Sequence, residues 1–261
     1  MSQAMGQPHP TPNTTSKDEG MNVLITGNSS GLGLGLTEAF LKQGAIVRGL
    51  SRRGCPLKTE RSDAFDEALR DQRVDLADLN KIVPALEAVM SDAHRLDLVI
   101  LNAGVLGKIQ PMHQTDVHDL EHLYRVNVWA NKVILDWLIE TAMPVDQIVA
   151  ISSGAGINMH YGWGGYAMSK ASINHLMHLY AEEMPETHLL AYAPGLVDTP
   201  MQDYLCGDVD TGEFPSVQKL VDAKGTANMP NSQDAAARLI ELLPTFKADH
   251  PSGGFVDVRH L

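Results

Sequence analysis

The chain has 261 residues, of which 44% are hydrophobic and 20% charged, an ordinary composition for a globular protein. A formal net charge of −12 and a pI near 5.3 argue against general affinity for nucleic acids or acidic membranes. The two cysteines, Cys55 and Cys206, form no CxxC motif and no multi-bridge framework, which is typical of a reducing, cytoplasmic compartment. No run of about 18 apolar residues predicts a membrane span, and no secretory pattern is present, so we expect a cytoplasmic protein.

The first twenty residues differ in composition from the rest. They contain almost no large apolar side chains and are rich in proline, threonine, serine and charged residues. Such a segment cannot bury enough apolar surface to offset the entropy lost on ordering. We therefore expect residues 1–20 to form a disordered tail and residues 21–261 to form one folded domain.

Short runs rich in β-branched residues and leucine alternate with longer amphipathic segments through this domain. Parallel strands need crossover connections, and helices supply them, so the alternation predicts a parallel sheet covered on both faces. The expected fold class is α/β, a single-domain Rossmann-type doubly wound parallel sheet of about seven strands. The predicted strands are 22–26, 45–50, 73–76, 96–101, 147–152, 188–193 and 254–258, and the predicted helices are about 32–43, 78–93, 116–142, 165–184 and 232–243.

The first strand leads directly into a glycine-rich loop, TGNSSGLG at 26–33, and then into a helix. Glycines permit a tight turn and let the backbone approach a pyrophosphate, while the N–H groups at the helix start attract negative charge. The spacing TGxxxGxG differs from GxGxxG in having three residues between the first two glycines. Its place between strand and helix is the context that a dinucleotide-binding motif requires. The expected cofactor contacts are Gly27, Ser29, Ser30, Gly31, Leu32 and Gly33.

The second strand ends in GLSRRG at 49–54, which contains no carboxylate. About 20 residues after the glycine loop, a dinucleotide fold places an acid that selects NAD or an arginine that accommodates the 2′-phosphate of NADP. Because arginine can bind a phosphate bidentately, the motif predicts NADP(H), with Arg52 the first choice, Arg53 the second, and Ser51 beside them. The alternative is that both arginines are solvated surface residues.

Tyr166 and Lys170 lie four positions apart in YGWGGYAMSK, residues 161–170, at the start of a predicted helix. Residues at i and i+4 share one helix face, so we expect the ammonium to lie close to the phenolic oxygen. A nearby positive charge lowers the pKa of a tyrosine from its ordinary value of about 10. The pair predicts a phenol that exchanges a proton near neutral pH. An isolated YxxxK motif is also compatible with a helix start that carries an exposed lysine.

Residues 200–230 interrupt the alternation of strands and helices. The segment is longer than an ordinary connection, and glycine and proline separate its apolar residues. Long excursions inside compact domains are often lids or binding loops. We predict a substrate-covering segment here, and the alternative is a mobile surface insertion.

Four motifs in this order resemble those of the short-chain dehydrogenase/reductase family: TGNSSGLG, NAG at 102–104, a serine before YxxxK, and PG at 194–195. The resemblance covers essentially all of residues 21–258. It implies a one-domain Rossmann sheet and an oxidoreductase that exchanges a hydride between NADP(H) and a carbonyl compound. Within the family, GWGGYAMSK followed by LLAYAPGLVDTPMQ is most similar to sepiapterin reductase and the benzil reductases. That similarity implies NADPH-dependent reduction of a vicinal dicarbonyl or of a pterin side chain.

The resemblance also implies a role for individual residues. Tyr166 would be the acid/base, and Lys170 would lower its pKa and bind the nicotinamide ribose. Ser153 would hydrogen-bond the substrate carbonyl, and Asn127 would hold a water that connects Lys170 to solvent. Ser152 competes with Ser153 in ISSG, but the family serine usually lies 13 positions before the tyrosine, which favours Ser153. Further implied cofactor contacts are Asp75 and Leu76 at the adenine, Asn102, Ala103 and Gly104 along the cofactor, and Pro194, Gly195, Val197 and Thr199 near the nicotinamide.

Aromatic and thioether side chains surround the proposed centre. They suit a flat or bulky apolar substrate, and they are also compatible with ordinary loop packing. In sepiapterin reductases an aspartate near the C-terminus anchors the pterin, and Asp257 occupies a similar place, although many family members end in a similar valine–aspartate strand without a pterin. The proposed substrate contacts are Ser153, Tyr161, Trp163, Tyr166, Met201, Gln202 and Asp257.

The remaining expectations concern metals, partners and alternative functions. Eleven histidines are present, but no HExxH motif or Cys/His cluster predicts a metal site. The helix predicted at 116–142 is apolar on more than one face, and the resemblance implies that another subunit covers it in a homodimer or homotetramer. The alternatives to a carbonyl reductase are a dehydrogenase for another alcohol/ketone pair and a non-catalytic NADPH-sensing protein. A sensor would not need Asn127, Ser153, Tyr166 and Lys170.

Overall fold

A computed structural model describes residues 20–60, 65 and 67–261. Within these residues, seven strands form one sheet in the order β3-β2-β1-β4-β5-β6-β7, and every neighbouring pair is parallel. The predicted Rossmann-type α/β fold is confirmed. Of the tail predicted at 1–20, residues 1–19 lie outside the described residues. The strands are β1 (Asn22–Thr26), β2 (Ile46–Ser51), β3 (Leu69–Arg73), β4 (Leu96–Leu101), β5 (Val145–Ile151), β6 (His188–Ala193) and β7 (Gly254–Asp257).

Helices connect successive strands and cover the sheet. Among the helices in the described part of the chain, none combines the length and hydropathy that crossing a membrane requires. The helices are α1 (Gly31–Lys42), α2 (Leu57–Glu60), α3 (Ile82–Met90), α4 (Val117–Tyr124), α5 (Ala130–Glu140), α6 (Gly164–Glu183), α7 (Pro200–Gly207), α8 (Pro215–Ala223) and α9 (Ser232–Asp249).

The central strands are apolar along their whole length because both faces of the sheet are buried. Successive side chains of a strand point to opposite faces. Leu24 therefore joins the core formed with α3, α5 and α6. Its neighbours Val23 and Ile25 join a second core formed with α1 and α9.

The direction of strand addition reverses beside β1. This strand pairs with β2 through Val23↔Val47 and with β4 through Val23↔Leu98. The connections after β1 and β4 leave the sheet toward opposite faces, and such a switch point opens a crevice at the carboxyl ends of the strands. The crevice is where the predicted site residues should meet.

The third strand is displaced from its predicted position at 73–76. It runs from Leu69 to Arg73, and sequence inspection missed it because LRDQR is mostly polar. An edge strand tolerates polar side chains, and β3 pairs with β2 alone. Val74 and Leu76 suggested a strand because they are apolar, but they lie in the coil that follows β3 and pack into the core that contains Leu24.

The last helix continues past Pro244, whereas the predicted helix ended at residue 243. Inside a helix, proline lacks the N–H group for one hydrogen bond and clashes with the preceding turn. The helix nevertheless extends to Asp249. Phe246 is fully buried, and its ring centroid lies 5.4 Å from that of Tyr192. Tertiary packing on the far side of Pro244 therefore outweighs the local penalty.

The helix predicted at 116–142 consists of three pieces. A five-residue π-helix, Arg125–Trp129, separates α4 from α5. Most apolar side chains of this segment are buried inside the chain, including Val126 and Ile134. Trp129 and Ile139 are 44% and 39% exposed, so the apolar surface left over is narrower than the sequence pattern indicated.

Residues 200–230, which we call the cover segment, contain α7 and α8 and form a small core of their own. Leu205, Phe214 and Val217 are buried there against Leu106 and Ile109, which follow β4. The cover segment is thus packed against the carboxyl end of the sheet. Its predicted role as a lid over substrate stays a prediction.

Candidate active site

The glycine-rich loop after β1 has the backbone conformation that only glycine adopts readily. Gly27 and Gly31 have φ of +72° and +55°, in the left-handed region. A β-carbon on Gly33 would lie 2.3 Å from the carbonyl oxygen of Gly27, so a side chain there would break the loop. The loop therefore brings backbone close to the start of α1, where N–H groups favour an anion such as a phosphate.

Asn102 ties the ends of β4 and β1 together across the switch point. Its Nδ2 donates to the carbonyl oxygens of Thr26, at 2.9 Å, and Gly27, at 3.2 Å. In return, Thr26 Oγ1 accepts hydrogen bonds from the backbone N–H groups of Asn102 and Ala103 at 3.0 Å each. These four bonds fix the floor of the crevice. The predicted cofactor residues Asn102, Ala103 and Gly104 all line it.

The end of β2 forms the part of the cleft that the sequence assigned to the adenosine. Arg53 donates from Nη2 to Ser30 Oγ at 2.8 Å and so joins this end to the glycine loop. Arg52 is exposed beside it. Ser51 is buried and its Oγ has no hydrogen-bond partner within the described residues, which marks it as a polar group free to contact a ligand.

Ser153 and Tyr166 meet in the cleft, beyond β5 and in the first turn of α6. A hydrogen bond with Ser153 lowers the pKa of Tyr166, but burial raises it more, to about 12. Ser153 Oγ also accepts from the N–H of Ala155 at 3.1 Å. Ser152 instead donates to Asn174 Oδ1. The structure therefore places Ser153 at the phenol and gives Ser152 a structural contact, as the spacing favoured.

Lys170 lies one helical turn after Tyr166 but bonds elsewhere. Its Nζ donates to the carbonyl oxygen of Ile151 at 2.7 Å and lies 5.6 Å from the centroid of the Tyr166 ring. Burial lowers the pKa of Lys170 to about 8. The predicted lowering of the tyrosine pKa by this amine is not what the structure shows, because desolvation dominates at Tyr166 and the ammonium faces a backbone carbonyl.

Asn127 lies in the π-helix, where it is buried and does not line the cleft. Its side chain exchanges two hydrogen bonds with the backbone of Val105, at 2.8 and 2.9 Å, and donates to Ser169 Oγ at 3.0 Å. The Asn127 carbonyl oxygen accepts from Asn131 Nδ2 at 2.8 Å. The π-helix thus connects the loop after β4 to α6. Such single-turn π segments are frequent at functional sites.

The cleft has a volume of about 980 Å³ and collects most of the predicted residues. All predicted cofactor contacts except Gly33 line it, and so do Ser153, Trp163, Tyr166, Met201 and Gln202. Apolar side chains form one wall, and residues of the cover segment line it, with Trp163 Nε1 donating to Ser216 Oγ at 2.9 Å. The apolar members of this wall are Leu106, Trp163, Met201, Leu205 and Leu220.

Two proposed substrate residues are not part of the cleft wall. Tyr161 is 60% exposed and stacks on Phe214 of the cover segment, with ring centroids 5.6 Å apart. Asp257 is buried, and Arg259 occupies both of its carboxylate oxygens. Their proposed substrate contacts therefore receive no support from the geometry.

Two residues of the site were not predicted from the sequence. Ser169, which supports Asn127, lies three positions after Tyr166, and that helical spacing was an available signal. Arg259 lines the cleft from the last turn of the chain, and no local pattern marks it. Among the residues that the structure describes, no group of three or more His, Cys, Asp or Glu is placed to hold a metal ion.

A doubly wound parallel sheet with a glycine cradle at its switch point defines a dinucleotide-binding protein of the Rossmann type. The chain belongs to the short-chain dehydrogenase family, since the family model described as short chain dehydrogenase matches residues 21–209. It is therefore an oxidoreductase of a fold that uses NAD(P)H.

Individual relatives agree with this assignment. A benzil reductase ((S)-benzoin forming) of Saccharomyces cerevisiae is 30% identical over 194 residues, which cover 70% of this chain and 74% of the relative. A benzil reductase ((S)-benzoin forming) of Bacillus cereus is 25% identical over 247 residues, covering 90% and 98%. The crystal structure of the YIR035C short chain dehydrogenase/reductase from Saccharomyces cerevisiae shares the fold, with a TM-score of 0.80, 24% identity, and coverage of 91% of this chain and 96% of that one.

The burial of Lys170 gives a prediction for the ligand-free protein. Because burial disfavours the ammonium, Lys170 should lose its charge as the pH rises through about 8, well below an ordinary lysine. In a pH titration of ¹³C-labelled lysine side chains by NMR, we expect one signal with a midpoint near 8. Lys170→Arg should remove that signal, and Lys219→Arg should leave it in place. A spectrum in which every lysine titrates above about pH 10 would contradict the described burial.

Proposed function

We propose that this protein is an NADPH-dependent carbonyl reductase that transfers a hydride to a ketone, either a vicinal dicarbonyl or a pterin side chain. The observation that carries the proposal is the meeting of Ser153 and Tyr166 in a cleft that the glycine cradle also lines. The relatives named benzil reductase support a dicarbonyl substrate. Asn127 and Lys170 complete the set of four polar residues that a non-catalytic sensor would not need.

The residues around the cleft fit a dinucleotide phosphate. Gly27 and Gly31 line the cleft at the start of α1, where a pyrophosphate would lie, and Gly33 lets the helix start pack against the carbonyl oxygen of Gly27. The unpartnered hydroxyl of Ser51 and the exposed guanidinium of Arg52 are available where the 2′-phosphate of NADP would lie, and Arg53, which donates to Ser30, is beside them. No carboxylate follows β2 directly, so the features that would favour NAD are absent from this turn.

Tyr166 is suited to give a proton at neutral pH. With a pKa of about 12, the phenol stays protonated until it is next to a stronger base, such as a carbonyl oxygen that gains negative charge. A bound dihydronicotinamide supplies the hydride that reduces the carbonyl carbon. The carbonyl π bond breaks, new C–H and O–H bonds form, and Tyr166 is left as a phenolate that must be reprotonated. Ser153 can donate to the same oxygen and orient it.

Lys170 supplies a positive charge close to the phenol once the phenolate forms. Below pH about 8 its ammonium is charged, and it is held by the carbonyl oxygen of Ile151. Its Nζ lies 5.6 Å from the centroid of the Tyr166 ring, and in water-poor surroundings a charge at that range stabilises an anion more than it does at the surface. A β-carbon built on Gly104 would lie 3.4 Å from Asn127 Oδ1 and 3.6 Å from Lys170 Nζ, so both side chains reach the same place beside this glycine. We propose that Asn127 helps to keep Lys170 in place.

Replacing Tyr166 with phenylalanine tests the catalytic assignment. The variant keeps the ring and loses only the acid, so we expect turnover of benzil to fall about 10²- to 10⁴-fold while NADPH binding changes little. The measurements are NADPH oxidation at 340 nm and NADPH fluorescence. Tyr161→Phe is the matched control, since Tyr161 lies outside the cleft wall and should retain full activity. Retained activity in Tyr166→Phe would remove this residue from the mechanism.

The same assay separates the substrate classes. Oxidation of NADPH with benzil alone would favour a general dicarbonyl reductase, and oxidation with sepiapterin would favour a pterin reductase. Consumption with neither, in a protein that binds NADPH, would support the sensor alternative. Activity only with other ketones or alcohols would assign a different alcohol/ketone pair.

Replacing Arg52 with alanine tests the cofactor. A charge-assisted hydrogen bond to the 2′-phosphate is worth about 1.5–3 kcal/mol, so Arg52→Ala should weaken NADPH binding roughly tenfold or more and leave NADH binding nearly unchanged. Arg53→Ala should have a smaller selective effect, because Arg53 already donates to Ser30. Arg95→Ala, whose guanidinium pairs with Asp97, serves as a control. Equal weakening of NADPH and NADH would show that Arg52 does not contact the 2′-phosphate.

We also propose that the protein forms a homodimer or homotetramer through α5, α6 and the π-helix. Four large apolar side chains are more than a third exposed there: Trp129 (44%), Ile139 (39%), Met168 (46%) and Leu179 (49%). Covering such surface would be favourable by about 25 cal/mol per Å². Light scattering at micromolar concentration should give a multiple of 28.4 kDa, and Leu179→Glu should lower it. A mass of 28.4 kDa for the unmodified chain would refute the assembly.

A further inference from the structure

The last turn of the chain places an arginine in the cleft beside Ser153. Gly154 follows Ser153 directly, and a β-carbon there would lie 2.2 Å from Nη2 of Arg259. Gly195, after β6, approaches the same side chain from the other side, with its β-carbon position 3.8 Å from Arg259 Cγ. The guanidinium therefore occupies space that Gly154 leaves open after β5, and the aliphatic stem of Arg259 passes Gly195 after β6.

Asp257 fixes the orientation of this arginine. Its Oδ1 accepts from Arg259 Nε at 2.9 Å and its Oδ2 from Nη2 at 2.5 Å, a side-on pair with two parallel hydrogen bonds. The side chain of Asp257 is 3% exposed and that of Arg259 is 52% exposed, so the carboxylate lies beneath and the guanidinium remains accessible. A guanidinium has five N–H groups, and Asp257 takes two of them. Three donors remain for a ligand.

The charge of the cleft is opposite to that of the protein. Among the described residues that line it, six are lysine or arginine and two are aspartate, although the chain carries a net charge of −12. Arg52 and Arg53 lie at the adenosine end. The other four cations are Lys170, Lys219, Arg238 and Arg259, and Arg259 is the one packed against the residue after Ser153.

We propose that Arg259 is a specificity-determining residue that binds the carboxylate of a 2-oxo acid with a bulky apolar substituent. The inference rests on the proposed carbonyl reductase function and narrows its substrate class. In a 2-oxo acid, the carboxylate stands where a vicinal dicarbonyl has its second carbonyl group. With the ketone oxygen at Ser153 and Tyr166, the carboxylate faces the guanidinium beside Gly154, and the substituent faces Trp163, Met201 and their apolar neighbours.

The same arrangement bears on the pterin alternative. An aspartate can bind the amino groups of a pterin only if its oxygens are accessible and not already paired. Both oxygens of Asp257 are used by Arg259, which also covers the carboxylate. The pair thus presents a cation to the cleft where a pterin-binding site would present an anion.

Benzoylformate and its methyl ester provide a matched pair of probes, because they share the ketone and the phenyl group and differ in the negative charge. We expect the unmodified protein to reduce benzoylformate with the higher kcat/KM. In Arg259→Met, KM for benzoylformate should rise about tenfold to a hundredfold, as expected for loss of a charge-assisted hydrogen bond, while KM for the ester changes less than about threefold. Arg95→Met, which removes a cation that pairs with Asp97 outside the cleft, should affect both substrates little.

Loss of Arg259 leaves the buried carboxylate of Asp257 unpaired, which can destabilise the fold. The double variant Asp257→Asn/Arg259→Met avoids this charge and should show the same selective loss. Circular dichroism and the Kd for NADPH, both expected to be unchanged, establish that the fold and cofactor site are intact. A weakened NADPH complex with unchanged benzoylformate kinetics would overturn the proposal and assign Arg259 to the cofactor.

Binding without turnover separates failure of this proposal from failure of the proposed function. Calorimetric titration of the cofactor-free protein with benzoylformate should show binding that depends on Arg259. If benzil and the ester are reduced but benzoylformate binds no better than the ester, the inference is wrong and the reductase remains. If benzoylformate binds through Arg259 but no ketone is reduced, the anion site is supported and the reductase function fails.

Discussion

The four hydrogen bonds between Thr26, Gly27, Asn102 and Ala103 hold the ends of the two central strands together. These strands diverge into loops on opposite faces of the sheet, so without a joint the crevice between them would have no fixed width. The glycine loop lies on one side of the joint, and the loop that Asn127 supports lies on the other. The positions of Tyr166 and Lys170 follow from it, because Asn127 also contacts α6 through Ser169.

Desolvation sets the electrostatics of the site more strongly than any single charge pair. The same burial raises the pKa of Tyr166 and lowers that of Lys170, since each shift disfavours the charged form. The phenol is consequently neutral and the amine is closer to neutrality than on the surface. In this state Tyr166 can donate a proton, and Lys170 can stabilise the phenolate once it forms. A neutral phenol is what the proposed reduction of a carbonyl requires as its proton donor.

The sequence was informative where a local pattern carries the constraint. Gly27 and Gly31 could be placed because their backbone conformation favours glycine, and Gly33 because no side chain fits against Gly27. Ser153 could be placed by its spacing from Tyr166. The sequence was misleading where distant contacts decide the structure. Polar β3 is stable because it pairs with β2 at an edge, and α9 passes Pro244 because Phe246 is buried. Lys170 was predicted to lie at the phenol of Tyr166. Its ammonium instead donates a hydrogen bond to the carbonyl oxygen of Ile151, a contact that helical spacing does not reveal. Arg259 was missed because only the pairing of β7 with β6 brings it to Gly154 and Gly195.

The π-helix at Arg125–Trp129 amounts to one extra residue inserted between α4 and α5. Each residue of an α-helix turns the chain by about 100°, so the insertion sets the rotation of α4 relative to α5. Deleting a single residue here would restore regular hydrogen bonding, yet it would swing Asn127 away from Val105 and turn Trp129 off the surface. A change in the length of this segment would therefore alter both the support that Asn127 gives to Val105 and the surface that Trp129 occupies. A homologue that has lost the extra residue should be expected to differ in both.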